Sequence, residues 1–429
     1  MKASPLFSPS SDRRTSAPTG RTAISRLVAL NLALGLSLTA HADWLQFRGP
    51  GGSAVSSETG LPSTLSESQI AWKVRLPGRG IASPLALGDR LYVSASSGPE
   101  QDRLHVICLR ASDGSKLWER QFWATGRTMT HPKIGVATCS PCSDGKRIFA
   151  AFSSNDVVCL DLDGNLLWMR ALTRDYPNAS NSLGMASSPI VTGSTFILPV
   201  ENDSESFAIG LDTATGVNRW KIDRPKVSNW SSPVLLPAQP AGQRVALMSG
   251  SGILFIDPQT GAEKARFEGG GSTVSSVTFA DGLLLVPSKG TTALRWNANP
   301  GQPDSNPLWQ NAQMINSTTS PVVLNQRVYT LNNAGILKCS SLKDGEKVWQ
   351  LRTTGPYSAT PVAAETRLYL INEKGLLQIV DTTAPEGAVL STLDLQDTFI
   401  GTPSIAHRSL YLRSDSFLYR ISGSAEARP

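Results

Sequence analysis

The stretch LDTATGVNRW, residues 211 to 220, ends in a glycine, three further residues and a tryptophan. The same ending recurs in LRASDGSKLW (109 to 118), CLDLDGNLLW (159 to 168) and SSLKDGEKVW (340 to 349). Asp and Gly at these positions favour a tight turn, because Asp can bond nearby backbone amides and Gly tolerates the left-handed conformation. The repeated turn predicts a chain built from similar β-hairpins.

A second pattern recurs out of step with the first, as in SSPI at 187, SSPV at 231 and TSPV at 319. Aligned on the proline, the copies fall at 84, 141, 189, 233, 321, 361 and 403, and Val277 takes the proline position in the one wide gap. Eight copies with a spacing of about 44 residues indicate a repeat protein.

One period shows what the repeated unit is. In residues 319 to 349, the segments PVVL, RVYTL, GILKC and EKVWQL are short, rich in β-branched and aromatic residues, and separated by turn residues. This pattern is typical of four antiparallel strands joined by hairpins, and no stretch shows a helical period. Eight such units predict an all-β fold, an eight-bladed β-propeller of four-stranded antiparallel blades.

The tryptophans of the first pattern are predicted to lie on the outer strand of each blade and to pack against the neighbouring blade. Three blades depart from the pattern: Ala265 replaces the tryptophan in blade 4, a long insertion precedes the tryptophan of blade 5, and blade 7 has APEGAVL. The last blade supplies only three strands, so we expect QIAWKVRL (69 to 76) to complete it and close the ring. The predicted docking tryptophans are Trp72, Trp118, Trp168, Trp220, Trp309 and Trp349.

The stretch LDTATGVNRW resembles the tryptophan-docking motif of propellers of the pyrroloquinoline-quinone type, and DWLQFRGPGG (43 to 52) resembles the segment that follows the signal in their secreted bacterial members. The resemblance covers residues 67 to 424. It implies the propeller fold but not one chemistry, since this superfamily holds calcium- and quinone-dependent alcohol dehydrogenases as well as propellers without a cofactor. One of the latter is the lipoprotein scaffold of the outer-membrane barrel-assembly machine.

The first 42 residues carry basic residues, an apolar run LVALNLALGLSL (27 to 38) and the sequence AHA at 40 to 42. This predicts a signal peptide cleaved after Ala42, and the apolar run is too short to span a bilayer. We therefore expect an exported bacterial protein, periplasmic or extracellular, with an extension at 43–66, the propeller at 67–424 and a tail at 425–429. Without residues 1–42, 35 basic and 33 acidic residues remain, a balance that gives no reason to expect nucleic acid as a partner.

The cysteines and histidines give no clear metal site. Cys108, Cys159 and Cys339 occupy one recurring position before the turn, which predicts a packed core role. Cys139 and Cys142 form a Cys-x-x-Cys, for which packing, a local disulfide, and redox or metal work all stay open. Zinc would need a second such pair, and His105 in LHVICL is expected to be packed.

The resemblance also allows a test for an enzyme. Quinone-dependent members typically carry two adjacent cysteines, acidic calcium ligands and long insertions over the cofactor. This chain has no adjacent cysteines, and its blades are short. We therefore expect a binding or scaffolding module with no cofactor and no catalysis of its own. The alternative is a quinoprotein oxidoreductase that uses pyrroloquinoline quinone with calcium.

Two connections exceed what the repeat needs, namely residues 120–138 and 173–186. In a propeller such links meet at one mouth of the central channel, where concave polar and aromatic surfaces bind ligands. They predict a site for a protein or carbohydrate partner on a monomer, whereas the alternative is a solvated loop surface. The candidate residues are Arg127, His131, Lys133, Arg174, Tyr176, Asn181, Asn229 and Trp230.

Overall fold

The computed structural model describes residues 42–179, 183–238 and 240–423. It shows eight antiparallel sheets that follow one another along the chain, as the eight-bladed propeller predicted. The predicted signal peptide, apart from Ala42, and the predicted tail lie outside the described residues. Among the described helices, none has the length and apolar character to cross a membrane.

The strands of each blade run in chain order from the channel outwards. Blade 1 consists of Leu85–Leu87, Arg90–Ser97, Arg103–Arg110 and Lys116–Trp123, and blade 2 of Cys142–Ser143, Arg147–Ala151, Asp156–Asp161 and Leu166–Ala171. Blade 3 consists of Ile190–Thr192, Thr195–Val200, Phe207–Asp212 and Asn218–Asp223, and blade 4 of Val234–Leu236, Arg244–Ser249, Gly252–Ile256 and Glu263–Phe267. One short helix, Leu172–Asp175, follows blade 2.

The second half of the ring repeats the plan with one irregular blade. Blade 5 consists of Thr278–Ala280, Leu283–Pro287 and Thr291–Asn297, followed by both Gln302–Pro303 and Trp309–Asn311, and blade 6 of Val322–Leu324, Arg327–Leu331, Ile336–Ser341 and Lys347–Arg352. Blade 7 consists of Val362–Ala364, Arg367–Ile371, Leu376–Asp381 and Ala388–Asp394, and blade 8 of Ser404–Ala406, Ser409–Arg413, Phe417–Ser422 and Ile70–Arg75. Two 3-10 turns, Pro50–Gly52 and Glu67–Gln69, and a short strand, Val55–Ser56, precede the ring.

The ring closes through the N-terminal strand, as predicted. Ile70–Arg75 pairs antiparallel with Phe417–Ser422, the third strand of blade 8, with Trp72 opposite Arg420. The edge that the last three strands would expose is thereby covered by the start of the propeller, which removes a free sheet edge.

The docking tryptophans join each blade to the next one. A Cβ added to the turn glycine of the following blade would meet the indole ring at 2.6 to 2.9 Å. In five of the six pairs the indole N–H also donates to a carbonyl of the same turn, at 2.9 to 3.0 Å. The pairs are Trp72 with Gly114, Trp118 with Gly164, Trp168 with Gly216, Trp220 with Gly261, Trp309 with Gly345 and Trp349 with Gly387.

The third strand offers a small residue opposite most of these tryptophans. Cys108, Cys159 and Cys339 lie directly across from Trp118, Trp168 and Trp349, and all three cysteines are buried, as predicted. In blade 4 the sizes are exchanged, since Phe255 lies opposite Ala265. Phe255 then packs on Trp296 of blade 5 with ring centroids 5.3 Å apart, so an aromatic side chain from the next blade occupies the interface that lacks its tryptophan.

Candidate functional site

Strand direction alternates in each blade, so one face of the ring carries both the links between blades and the hairpins that join second to third strands. This face is here called the mouth face. The first link crosses this face. His131 N–H donates to Leu183 O of the second link at 3.0 Å, and Lys133 Nζ pairs with both carboxylate oxygens of Glu373 in blade 7 at 2.9 Å. Arg79 holds its middle through the carbonyls of Pro132 and Ile134.

Beneath the first link lies a cavity of about 390 Å³, here called the chamber. His131 and Lys133 contribute to its roof, and Trp230 to its side, where the indole N–H donates to Gly184 O at 2.8 Å. Apolar side chains, among them Ile81 and Ile400, complete the wall. The chamber therefore combines an apolar wall with a polar roof.

A ring of hydroxyl groups surrounds the chamber lower in the channel. Seven of the eight backbone N–H groups in the ring, all but that of Thr402, donate to the hydroxyl of the next blade at 2.9 to 3.1 Å. The circle is completed by Ser83 Oγ, which donates to Thr402 O at 2.7 Å. The members are Ser83, Ser140, Ser188, Ser232, Ser276, Ser320, Thr360 and Thr402. This hydroxyl ring ties the eight inner strands together around the channel.

Sequence analysis missed this ring although its signal was present. A Ser or Thr stands directly before the proline position in all eight copies of the second pattern, including the copy with Val277. The proline was used for alignment, and the residue before it was given no role. A hydroxyl that recurs at one repeat position can accept a hydrogen bond from the backbone N–H of the neighbouring blade. In a closed ring every blade has such a neighbour.

The other end of the channel is covered by residues 42–58, here called the plug. Trp44 bridges to Ala86 of blade 1, Ala54 O accepts a bond from Ala363 N of blade 7, and Val55–Ser56 pairs parallel with blade 7. Phe47 lines the chamber from this side. The channel is therefore a blind chamber that opens at the mouth face.

Arg48 fixes the plug in the middle of the ring. Its guanidinium is 1% exposed and donates to the carbonyls of Val277 at 3.0 Å and Pro321 at 3.2 Å, on blades 5 and 6. Burial lowers the pKa of Arg48 to about 9, so the group stays charged at neutral pH. In the sequence, residues 43 to 52 are notable only for their resemblance to secreted family members. Nothing in their residue types predicts that they enter the channel.

The structure brings together only part of the predicted mouth site. His131, Lys133 and Trp230 line the chamber. Tyr176 does not, since its ring packs on Phe207 at 4.7 Å against the outside of blade 3, and its hydroxyl accepts a bond from Asn218. Tyr176 follows the short helix Leu172–Asp175 and packs on blade 3, so it does not join the residues that line the chamber.

The remaining candidates are placed as follows. Arg174 is exposed on that same helix, Arg127 is exposed beside Met129, and neither lines the chamber. Asn229 is buried, where its amide donates to Glu201 and to Met248 O. Asn181 lies outside the described residues.

Cys139 and Cys142 are free thiols in this structure and fully buried in the core of blades 2 and 3. Burial raises the pKa of Cys139 to about 12 and that of Cys142 well above its usual range. A thiol with so high a pKa is a poor nucleophile and a poor metal ligand at neutral pH. Among the described residues, no cluster of three or more His, Cys, Asp or Glu side chains could hold a metal.

Comparison with known proteins shows the family to which this chain belongs. A family model described as outer membrane protein assembly factor BamB matches residues 51–221 and 204–427. The chain belongs to the BamB family. BamB from Moraxella catarrhalis, whose structure is solved, aligns with a TM-score of 0.59 at 17% identity, over 82% of this chain and 96% of that chain.

The BamB-family propeller also resembles enzymes of the same fold. The quinohemoprotein alcohol dehydrogenase of Comamonas testosteroni aligns with a TM-score of 0.66 at 12% identity, over 90% of this chain and 81% of that one. Polyvinylalcohol dehydrogenase of Sphingopyxis sp. (strain 113P3) is 24% identical over 245 residues, which are 53% of this chain and 35% of that protein. At these identities the likeness to the solved structures shows the fold alone.

The residues of this BamB-family chamber do not fit the cofactors that the enzymes imply. Calcium takes six to eight oxygen ligands, with carboxylates prominent among them. No Asp or Glu is among the residues that line the chamber, and the nearby Glu373 is already paired with Lys133. No two cysteines are adjacent in the sequence either. A calcium-bound quinone thus has no matching set of ligands here.

Proposed function

We propose that this protein is an exported binding or scaffolding module whose mouth face docks a partner protein. The observation that carries the proposal is an arc of exposed apolar side chains on that face. Each of the first five links exposes a large apolar residue, and the first link, 120–138, exposes Trp123 as well as Met129, whereas links six to eight expose none among the described residues. The side chains here called the apolar arc are Met129, Leu183, Val227, Val274 and Ile315, exposed by 39 to 58%.

The first four links of the arc are hydrogen-bonded to one another. His131 N–H donates to Leu183 O, the indole of Trp230 to Gly184 O, and Trp230 N–H to Thr273 O, so each link is bonded to the next. Exposed apolar side chains carried by neighbouring, mutually bonded links are typical of docking sites for other proteins. A carbohydrate would instead favour planar polar and aromatic side chains; the arc itself has none, and Trp123, 62% exposed at the start of the first link, is the aromatic side chain on which a carbohydrate would stack.

Charge on the same links suggests the character of the partner. Arg127 and Lys226 are exposed next to Met129 and Val227 in the chain, Arg174 is exposed on the helix that begins the second link, and none of the three has a carboxylate partner among the described residues. Cations around an apolar surface favour a partner with acidic groups around apolar side chains, because complementary potentials speed encounter and exclude wrong partners. We propose that the protein acts as a monomer in the periplasm or outside the cell, after removal of residues 1–42.

The test is a selection from a random-peptide display library on the immobilised processed protein. We expect the selected peptides to be acidic and apolar, and to bind the double variant Met129→Ser, Val227→Ser at least about tenfold more weakly. The matched control is Leu166→Ser, Val217→Ser, which removes two exposed apolar side chains where turns lead into outer strands, away from the links. Peptides that bind both double variants alike, or ligands found only on a glycan array, would count against a protein-docking face.

A quinoprotein oxidoreductase is the second candidate, favoured by the match to polyvinylalcohol dehydrogenase. It is tested by adding pyrroloquinoline quinone and calcium to the purified protein with a dye acceptor and simple alcohols or sugars. We expect no dye reduction above a heat-killed control, because the chamber lacks carboxylate ligands. Clear turnover would favour the oxidoreductase.

A further inference from the structure

Three polar side chains of blade 1 form a chain of hydrogen bonds away from the mouth chamber. Ser97 Oγ lies 2.7 Å from His105 Nε2, and His105 Nδ1 lies 2.8 Å from Glu119 Oε1. The three residues come from the second, third and fourth strands of the blade, and strand pairing places them on one face of the sheet. Sequence analysis assigned His105 a packed role and did not consider Ser97 or Glu119.

Protonation in this chain follows from Glu119. Burial raises the pKa of Glu119, but hydrogen bonds from Lys116 and His105 outweigh burial and hold the pKa below its usual value. An ionised carboxylate can only accept, so Nδ1 of neutral His105 carries the proton and Nε2 is the acceptor. Ser97 O–H therefore donates to Nε2, which is the arrangement in which a histidine acts as general base on a serine.

Ser97 is accessible from a second cavity, of about 530 Å³, between blades 8 and 1. This cavity shares no lining residue with the chamber. His105 is nearly buried behind Ser97, with 3% of its side chain exposed, so a molecule in the cavity meets the hydroxyl first. The serine is thus both activated and reachable.

Two backbone N–H groups next to Ser97 have no acceptor among the described residues, those of Gly78 and Gly98. Gly98 follows Ser97 directly, and both glycines line the cavity, but a Cβ on Gly98 would stand 2.7 Å from Asp102 Oδ1, so a carboxylate lies beside Gly98 and Gly78 is the better placed donor. A Cβ on Gly78 would come within 2.7 Å of Ser97 Cβ and 2.0 Å of Ser96 O, so only glycine permits this approach. Such unpaired N–H groups beside a nucleophile can stabilise an oxyanion.

We propose that Ser97 and His105 hydrolyse a carboxylic ester, with Glu119 as the positioning residue for His105. Ser97 Oγ attacks the ester carbonyl carbon while its proton passes to His105 Nε2, and the N–H group of Gly78 binds the oxyanion. The C–O bond to the alcohol breaks, and the alcohol leaves with the proton from His105. Water then attacks the acyl-Ser97 ester through the same base, which releases the acid and restores Ser97.

The cavity favours an ester that carries a negative charge. Arg79 is balanced by Asp415, at 3.2 Å, and Asp415 is the only carboxylate in the lining. Arg75 has no carboxylate partner among the described residues and lies over the ring of Phe417, 5.6 Å from its centroid. Because Asp102 adds a carboxylate beside Gly98, the positive charge is local to Arg75, and it suits an ester whose own carboxylate lies next to Arg75 and away from Gly98.

This activity goes beyond the docking role and is independent of it, because the two cavities are separate. It departs from the expectation of a protein without catalysis, which rested on the cofactors of related enzymes. Nothing in the ester chemistry requires a quinone or a metal.

The experiment treats the purified, processed protein with a fluorophosphonate probe and locates the adduct by peptide mass spectrometry. We expect an adduct on Ser97 in the folded protein and none after unfolding in urea. With 4-nitrophenyl esters, Ser97→Ala and His105→Gln should lower kcat/KM by at least about 100-fold. The hemisuccinate should be preferred over the acetate, and Arg75→Gln should abolish that preference.

Further variants separate chemistry from folding. Ser94→Ala, on the same strand at a buried hydroxyl without a partner, should keep both the adduct and the rate. Glu119→Gln should lower kcat for 4-nitrophenyl esters with KM unchanged, because the imidazole loses the acceptor that fixes its tautomer, and Glu119→Asp should restore part of the rate, whereas a structural defect would affect kcat and KM together. A folded wild-type protein without an adduct on Ser97, or with an equal adduct in a folded His105→Gln variant, would overturn the proposal.

Discussion

Trp220 lies so close against Gly261 of the next blade that a Cβ at Gly261 would approach the indole to 2.7 Å. The turn glycine therefore has two roles. Its φ of 71° closes the hairpin of its own blade, and its missing side chain leaves room for the tryptophan of the preceding blade. The repeated Gly and Trp act together across each interface although they belong to different copies of the repeat.

Replacing Trp220 by Ala should lower the free energy of unfolding by about 3 to 5 kcal/mol, because it empties a buried aromatic site and loses the bond to Pro258 O. Gly261→Ala should destabilise by more than about 1 kcal/mol, since the methyl group meets the indole. The control is Gly282→Ala, which has a φ of 75° but open space around the added Cβ. Urea unfolding measures all three, and equal losses for the two glycine variants would contradict the role of the contact.

The sequence predicts the blades because each repeat contains its own strands, turn and docking tryptophan. It does not predict Trp296, which packs on Phe255 from the third strand of blade 5, where no motif marks it. Nor does it predict that Leu65 is buried and bonded to Ser391, the position where blade 7 lacks a tryptophan. Trp296 and Leu65 fill interfaces that lack a docking tryptophan, and each does so through contacts with a segment distant in the sequence. A pattern local to one repeat cannot predict such contacts.

Deleting residues 43–76 should lower the melting temperature and promote aggregation, because it frees the edge of Phe417–Ser422. A shorter deletion, of residues 43–58, removes the plug but keeps the closing strand. We expect it to stay monomeric while it opens the channel at its far end. Size-exclusion chromatography and thermal melting compare the two, and a long-deletion variant that is monomeric with an unchanged melting temperature would refute closure by this strand.

The mouth site was predicted only in part for a similar reason. Excess length in the first link indicated a functional segment, and His131 and Lys133 do reach the chamber. Length alone could not show that Arg174 and Tyr176 turn outwards, because that depends on the pairing of Tyr176 with Phe207 and Asn218. The Ser97 chain was missed because its members are separated along three strands and no motif joins them.

Replacing Arg224 by Met should destabilise the protein by about 3 to 5 kcal/mol at pH 7.5, because it leaves the carboxylate of Glu201 buried without its ion pair. Burial already raises the pKa of Glu201, against the effect of Arg224, and loss of the arginine raises it further. Protonation then relieves the buried charge, so the loss should be smaller at pH 5. Urea unfolding of the wild-type protein and the Arg224→Met variant at pH 7.5 and pH 5 measures the loss in free energy of unfolding.

The matched control for that prediction is Arg219→Met in the same blade. Arg219 pairs with Asp212 near the surface and, as the largest cause, lowers the pKa of that carboxyl to about 2. A partly exposed pair of this kind contributes about 0 to 1 kcal/mol, so this variant should change little at either pH. A loss for Arg224→Met that is as small as for Arg219→Met, or that grows on acidification, would contradict the argument.

The cysteines give the last prediction. Burial raises the pKa of Cys108, Cys139 and Cys159 to about 12 and that of Cys339 to about 11, so the folded protein holds almost no thiolate at pH 8. Ellman's reagent should therefore leave the native protein unmodified and should titrate five thiols after unfolding, since all five cysteines are free in this structure. Because the folded pKa values exceed the usual value near 9, the unfolded chain loses protons first, and stability should fall as the pH rises from about 9 towards 12. Three titrated thiols instead of five would show a disulfide between Cys139 and Cys142, and fast modification of the native protein would contradict their burial.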